Sequence, residues 1–240
     1  MPPCEVILES RKPVGDATAV YYFQKPGDFE FKAGQFADFT LPGATDTDEK
    51  GNTRTFSLAN SPHENHLIVA TRLRGTAFKR KFDALPTGTP VVMQGPYGSL
   101  TLHNNAARPA VFLAGGIGVT PFRSIISQAT HKRTAHKMFL FYSVRKPDEA
   151  AFLDELKVMQ RANPNFKCIV TVTRPDEIKN DWHGETGHIT KETLAKWVGD
   201  LMIPIYYIAG PPPMVSGMRL MLNEAGINDD DIRSEEFFGY

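Results

Sequence analysis

Pro109-Ala110-Val111-Phe112-Leu113-Ala114-Gly115-Gly116-Ile117-Gly118-Val119-Thr120-Pro121 is the stretch that decides the fold. Its first half is continuously apolar, the pattern of a strand covered on both faces. Glycines then interrupt it, and a helical pattern follows over 121–129, with Pro121 suited to a first helical turn. Lacking Cβ, the glycines let backbone amides approach a phosphate, and the helix start adds unpaired N–H groups and a positive dipole end. The spacing is not G-x-G-x-x-G, and such a turn also serves as a tight structural connection. Its surroundings must therefore decide its role.

Downstream, strands are expected at 138–143, 167–173 and 205–209, with helices near 149–162, 191–198 and 214–225. Continuous apolar strands alternating with amphipathic helices predict a parallel sheet covered on both faces. A second turn, Ala209-Gly210-Pro211-Pro212-Pro213-Met214, closes the last of these strands and opens another helix. Both turns occupy carboxyl ends of parallel strands, where open α/β sheets bind ligands. Two such turns at equivalent places favour a dinucleotide site over two simple connections.

Upstream the texture differs. Short β-rich runs at 19–23, 36–41, 55–58, 67–73 and 91–94 are punctuated by Gly and Pro, which suits a small antiparallel barrel, with one helix near 77–85. Within it, Arg54-Thr55-Phe56-Ser57-Leu58-Ala59-Asn60 sets a guanidinium, an aromatic ring and a hydroxyl on one strand. An Arg fork suits a pyrophosphate, a ring suits a flat heterocycle, and a hydroxyl can hydrogen-bond a ring nitrogen. In isolation, this heptad reads equally well as an ordinary strand. The expected division is a barrel domain, residues 1–105, and a Rossmann-like α/β domain, residues 106–240.

Bulk properties narrow the class further. With 240 residues, 41% hydrophobic and 22% charged, the chain has ordinary globular composition. Lys plus Arg and Asp plus Glu balance at 27 each, so no global field selects nucleic acid or an anionic membrane. No apolar run approaches the roughly 20 residues needed to cross a bilayer, and neither a leader nor membrane insertion is expected. Cys4 and Cys168 lie far apart and are too few for an iron–sulfur cluster, which predicts a cytoplasmic protein without its own cluster. His63, His66, His183 and His188 lie in loops and are expected to face solvent, so no metal site is expected. Cys168 is expected to be a buried small hydrophobe.

Taken in order, Ala33-Gly34-Gln35-Phe36, Arg54 to Ser57, Gly95-Pro96-Tyr97-Gly98, Gly115 to Pro121, Tyr142-Ser143-Val144-Arg145, Gly210 to Met214, and Glu235 with Phe237 resemble the motifs of the ferredoxin-NADP reductase superfamily. The resemblance spans nearly the whole chain. It implies an antiparallel flavin-binding β-barrel followed by a Rossmann-like NAD(P)-binding domain. The implied activity is hydride transfer from NADPH or NADH onto bound FAD, with electrons passed to a separate acceptor such as ferredoxin or flavodoxin.

The resemblance also implies roles. Arg54 would neutralise the flavin pyrophosphate, Phe56 would pack on the isoalloxazine, and Ser57 would sit beside flavin N5. Thr55 and Thr71 would line the flavin, while Gly75, Thr76 and Ala77 would offer amides and a hydroxyl to the pyrophosphate. Gly116, Gly118, Thr120, Gly210 and Met214 would hold the pyridine nucleotide. Phe237, Phe238 and Tyr240 would cover the flavin face, and Glu235 would supply a proton. Ser143, Arg145 and Arg174 would read the adenosine ribose, and the arginines place NADPH ahead of NADH. Ala209 stands where the family often has Cys, and Phe56 where it often has Tyr; slower turnover is expected from both. The basic run Arg72, Arg74, Lys79, Arg80 and Lys81 suits a small acidic electron carrier, flavin phosphate or plain solvent. The alternative reading is an electron-transfer or regulatory subunit active only inside a larger complex.

Overall fold

The structure, a computed structural model, describes all residues except 1, 16, 42, 44–48, 50, 74, 178–181, 183 and 238–240. Two six-stranded sheets form the frame. The first contains β1 (Cys4–Pro13), β2 (Thr18–Gln24), β3 (Phe36–Thr40), β4 (Thr53–Ser57), β5 (His66–Arg72) and β6 (Pro90–Tyr97). All its pairings are antiparallel, in the order β4-β3-β6-β1-β2-β5. The two strands ending that order, β4 and β5, come back into proximity, so the sheet curls into a barrel.

Alternation along these strands sends one row of side chains inward. Tyr21, Phe23, Phe39, Phe56 and Met93 meet there with Phe78 and Phe82 of the helix α1 (Ala77–Ala84). Thr76 caps that helix, its hydroxyl oxygen accepting the Lys79 N–H at 3.2 Å. Phe78 and Phe82, one turn apart, thereby point into the barrel mouth, where they stack with ring centroids 5.5 Å apart.

The second sheet contains β7 (Ala110–Gly115), β8 (Met138–Val144), β9 (Phe166–Val172), β10 (Glu185–Thr186), β11 (Ile205–Gly210) and β12 (Ile232–Glu236). It is wholly parallel, in the order β10-β9-β8-β7-β11-β12. Connecting helices are α2 (Val119–His131), α3 (Leu153–Ala162), α4 (Lys191–Val198) and α5 (Pro212–Glu224). From β7 the chain winds outward through β8 and β9, then returns to β11 on the other side. The order therefore reverses between β7 and β11, and the turns Gly115–Gly118 and Gly210–Pro213 flank that reversal.

Two differences from the sequence reading come from tertiary contacts. The helix expected over 149–162 starts only at Leu153, because Phe152 takes a left-handed conformation (φ 60°) that carries its ring into the core beneath Arg123. Strand β12 was not foreseen; Ile232–Glu236 is mostly polar and acquires strand structure by pairing with β11.

One apolar cluster spans both halves. Val20, Ile68 and Ala70 of the first sheet and Leu100 of the connector pack in the same cluster as Phe112, Phe122, Ile125 and Tyr207. Ser124 on α2 donates to Asn60 O at 2.5 Å, and the Gly34 N–H donates to Ser124 Oγ at 3.3 Å. Ten of the thirteen α2 residues are buried, so this helix is the packing element between the sheets.

Candidate active-site cleft

A cleft of about 1100 Å³ opens between β4, the end of β5, the start of α1, the turn after β7 and the end of β12. Arg54, Thr55, Phe56, Ser57, Thr71, Gly75, Thr76, Ala77, Thr120, Glu235 and Phe237 all line it. Residues more than 180 positions apart in sequence thus face one space.

Arg54 lies with its guanidinium 4.8 Å from the Phe78 ring and donates to Gly51 O at 3.0 Å and Thr53 O at 2.7 Å. Stacking and two backbone acceptors hold the fork at the cleft wall. Thr55, exposed, donates to Asp38. Phe56 is 8% exposed; its ring stacks on Phe82 at 5.3 Å and meets Phe39 edge-on at 5.8 Å, so only its margin reaches the cleft. Ser57 is 6% exposed, and its hydroxyl oxygen is buried without a hydrogen-bond partner. An orphaned buried hydroxyl is costly in a folded protein and marks a place where a ligand atom completes the bonding.

Gly75, Thr76 and Ala77 bring the N-terminal end of α1 to the same wall. The Thr76 oxygen already accepts from Lys79 N–H, leaving its O–H free to donate. On the opposite side, Glu235 projects from the edge strand β12. Burial alone pushes its carboxyl up to about 7 from an ordinary 4.5. The Phe237 N–H donates to Gly210 O at 2.9 Å, which ties the segment after β12 to the second glycine turn. Phe238 and Tyr240 lie outside the described residues.

Gly116, Gly118, Gly210 and Met214 do not line this cleft; within their turns Ile117 and Thr120 do. The glycines have a demanding packing role. A Cβ on Gly118 would stand 2.2 Å from Ala209 O and 2.8 Å from Gly210 N, and one on Gly115 would stand 2.2 Å from Met214 Sδ. The two turns therefore press backbone to backbone across the switch point. Gly118→Ala is expected to force them apart at a cost of about 1–3 kcal/mol, as for other overpacked sites. A shift in the urea midpoint checks this, and an unchanged midpoint would contradict the contact.

Arg145 and Arg174 are exposed at the carboxyl ends of β8 and β9, away from the cleft lining, and Arg174 pairs with Glu177 at 3.1 Å. Arg72, the first of the basic run, is a largely buried partner of Glu149 at the cleft edge. Ile117, Phe36, Glu49 and Thr53 also line the cleft. Ile117 lies inside the glycine turn and Phe36 ends the Ala33–Phe36 motif, though the sequence singles out neither as a site residue; Glu49 and Thr53 carry no signal. His63 and His188 are exposed as expected, His66 is exposed and pairs with Glu9 at 3.1 Å, and His183 lies outside the described residues. Cys168 is partly buried, and desolvation pushes its thiol up to about 12, in keeping with an inert packing residue. Among the described residues there is no cluster of three or more metal-ligating side chains and no helix long and apolar enough to cross a membrane.

An antiparallel sheet curled into a barrel, a parallel sheet with paired turns at its switch point, and a cleft between them make up the two-part fold seen in solved ferredoxin-NADP reductase-like proteins. The chain shares that fold, and within its second half residues 112–219 match the oxidoreductase NAD-binding domain family. It superposes on a ferredoxin NADP+ reductase from Neisseria gonorrhoeae, solved with bound FAD and NADP, with a TM-score of 0.81 at 21% identity, covering 99% of this chain and 100% of that one. The cytochrome P450 reductase GcoB of Amycolatopsis gives a TM-score of 0.83 at 21% identity over 98% of this chain and 70% of that one. In sequence, the chain is 27% identical over 218 residues to the reductase component of propane 2-monooxygenase from Mycolicibacterium smegmatis. That alignment covers 89% of this chain and 61% of the relative, so the chain spans about three fifths of the relative's length.

Proposed function

We propose that the chain is a flavoprotein oxidoreductase: an FAD-binding barrel domain, residues 1–105, and an NAD(P)-binding domain, residues 106–240, that together pass electrons from NAD(P)H to a separate acceptor. The observation that carries this reading is the unpartnered, buried Ser57 hydroxyl facing a large cleft whose walls also hold a fixed guanidinium and a helix N-terminus. When bound there, the flavin supplies a two-electron acceptor for the nicotinamide that can release its electrons singly.

The residues fit that group. Arg54 and the amides at the start of α1 supply the positive field a pyrophosphate requires. The Phe56 margin offers an apolar contact to a flat ring, and the Ser57 O–H completes its bonding on a ring nitrogen. Glu235, with a pKa near 7, holds a proton through much of the neutral range and can release it into the cleft. The separation of the glycine turns from the cleft lining suits a nucleotide lying across the switch point and reaching inward over Thr120.

The acceptor is another protein in this reading, as the word component in the relative's name suggests. Lys79 and Arg80 beside the cleft suit a small acidic carrier. Two free cysteines accord with a reducing, cytoplasmic setting.

Protein reconstituted with FAD should be yellow, and its visible absorption should bleach anaerobically with NADH or NADPH. Failure of both nucleotides to bleach it would refute the proposal. Arg54→Ala is expected to lower flavin affinity by about tenfold to a hundredfold, the value of one lost charge-assisted contact of about 1.5–3 kcal/mol. Equilibrium dialysis measures this; undiminished retention would remove Arg54 from the site.

A further inference from the structure

Two loops at the carboxyl ends of neighbouring strands carry the same local sequence. Arg145-Lys146-Pro147-Asp148-Glu149 follows β8, Arg174-Pro175-Asp176-Glu177 follows β9, and each Pro-Asp-Glu forms a 3-10 turn. The Thr173 N–H donates to Val144 O at 2.9 Å and the Arg174 N–H to Arg145 O at 3.1 Å, which locks the loops side by side. Their glutamates then diverge. Glu149 reaches away to Arg72 on the barrel. Glu177 turns back onto the paired loops, its carboxylate 2.5 Å from Lys146 Nζ and 3.1 Å from an Arg174 guanidinium nitrogen.

The patch lies at the carboxyl ends of β8, which pairs with β7, and of β9 one strand further out, the side of a nucleotide turn on which an open parallel sheet receives the adenosine ribose. A ribose 2′-phosphate brings two negative charges and needs uncommitted cations. Here one carboxylate already engages two of the three candidates. Once the Arg72–Glu149 pair is set aside, Arg145, Lys146 and Arg174 are matched in number by Asp148, Asp176 and Glu177. No excess positive charge remains on residues 145–149 and 174–177 of these loops. Hydrogen bonding to Lys146, and then to Arg174, holds the Glu177 carboxyl below its ordinary range, so it is anionic at neutral pH. A carboxylate fixed in this way repels a phosphate and accepts hydrogen bonds from a ribose diol.

We propose that Glu177 sets the nucleotide preference, rejecting a 2′-phosphate and accepting an unphosphorylated ribose, so that the protein uses NADH rather than NADPH. This inference rests on the reading of the chain as an NAD(P)H-dependent flavoprotein, and it reverses the preference expected from Arg145 and Arg174 in the sequence. The sequence expects Arg174 to read the ribose; the fold gives it a counter-ion from three residues downstream.

The test compares the FAD-loaded parent with Glu177→Gln by calorimetric titration with NAD+ and NADP+, alongside anaerobic flavin reduction by NADH and NADPH. The parent should bind NAD+ at least about tenfold more tightly, and Glu177→Gln should strengthen NADP+ binding about fivefold to tenfold while weakening NAD+ a few-fold, the scale of exposed charge pairs acting together. Flavin retention should be the same in both proteins. A parent that prefers NADP+, or a variant whose NAD+ to NADP+ ratio equals that of the parent, overturns the inference while the flavoprotein reading stands. No flavin reduction by either nucleotide overturns that reading and this inference with it.

Discussion

Arg123→Ala is expected to destabilise the protein by about 3–5 kcal/mol, the cost of breaking a buried ion pair from one side. Arg123 is 5% exposed on α2, between the sheets. It donates to both Glu64 carboxylate oxygens at 2.9 and 2.8 Å, to Ala59 O at 2.9 Å, and to Glu155 at 2.6 and 3.1 Å, over the Phe152 ring at 5.5 Å. Glu64 and Ala59 belong to the loop between β4 and β5, while Glu155 lies on α3, so one side chain joins three segments. Burial raises the Glu64 pKa, but the Arg123 hydrogen bond and charge outweigh it and hold the carboxyl below its ordinary value. The stability this pair contributes is present above a pH of about 4.5 and is lost as pH falls through the lowered folded value. Urea unfolding at pH 7 measures the effect, and a loss below about 1 kcal/mol would show the network to be dispensable. Arg123→Lys should rescue only part of it, because an ammonium has three donors where this site uses a planar fork on three acceptors.

Glu235→Gln is expected to do the opposite above neutral pH. The Glu235 carboxyl titrates near 4.5 when solvated and about 7 in the fold, with burial as the cause. A raised folded value means the fold holds the proton longer: the favourable contribution is complete below about 4.5 and disappears as pH climbs to about 7. Beyond that the ionised carboxylate carries a desolvation cost of about 3 kcal/mol, which the amide avoids. The variant should therefore match its parent near pH 4.5 and exceed it by up to about 3 kcal/mol at pH 8. Denaturation in the two buffers checks the difference, and a gap independent of pH would mean the carboxyl is solvated. His103, whose pKa burial lowers, imposes the contrary slope, losing stability as pH falls below its ordinary 6.5. It is common to parent and variant, so the comparison isolates Glu235. If Glu235 supplies the proton, as proposed above, the variant should also slow reduction of an acceptor about a hundredfold, the lower range for general acid catalysis.

Legibility in the sequence followed the range of the forces involved. The apolar run 109–114 and its glycine turn announced a covered parallel strand, and β7 with α2 is what they form. The helix expected over 191–198 matches α4, whose start Thr190 caps through the Thr193 N–H. β12 escaped notice because Ile232–Glu236 owes its strand form to β11, and the start of α3 was misplaced because Phe152 and Glu149 answer to partners elsewhere in the fold. The same division runs through the site. Arg54 to Ser57 could be picked out as a motif, yet nothing in the motif indicated that the Phe56 ring would lie mainly in the barrel core or that the Ser57 hydroxyl would be left unpartnered.

By itself the sequence determined the two textures, barrel and covered parallel sheet, together with the turns that end β7 and β11, because periodicity, glycine placement and chain stiffness act over a few residues. Only the tertiary structure decided that Gly115, Gly118 and Gly210 serve first to let two backbones touch, that Arg123 binds the halves, that Arg174 is already paired, and that Glu235 is buried enough to titrate near neutrality. These depend on desolvation and on charges meeting across long sequence separations, which are properties of the space the folded chain encloses.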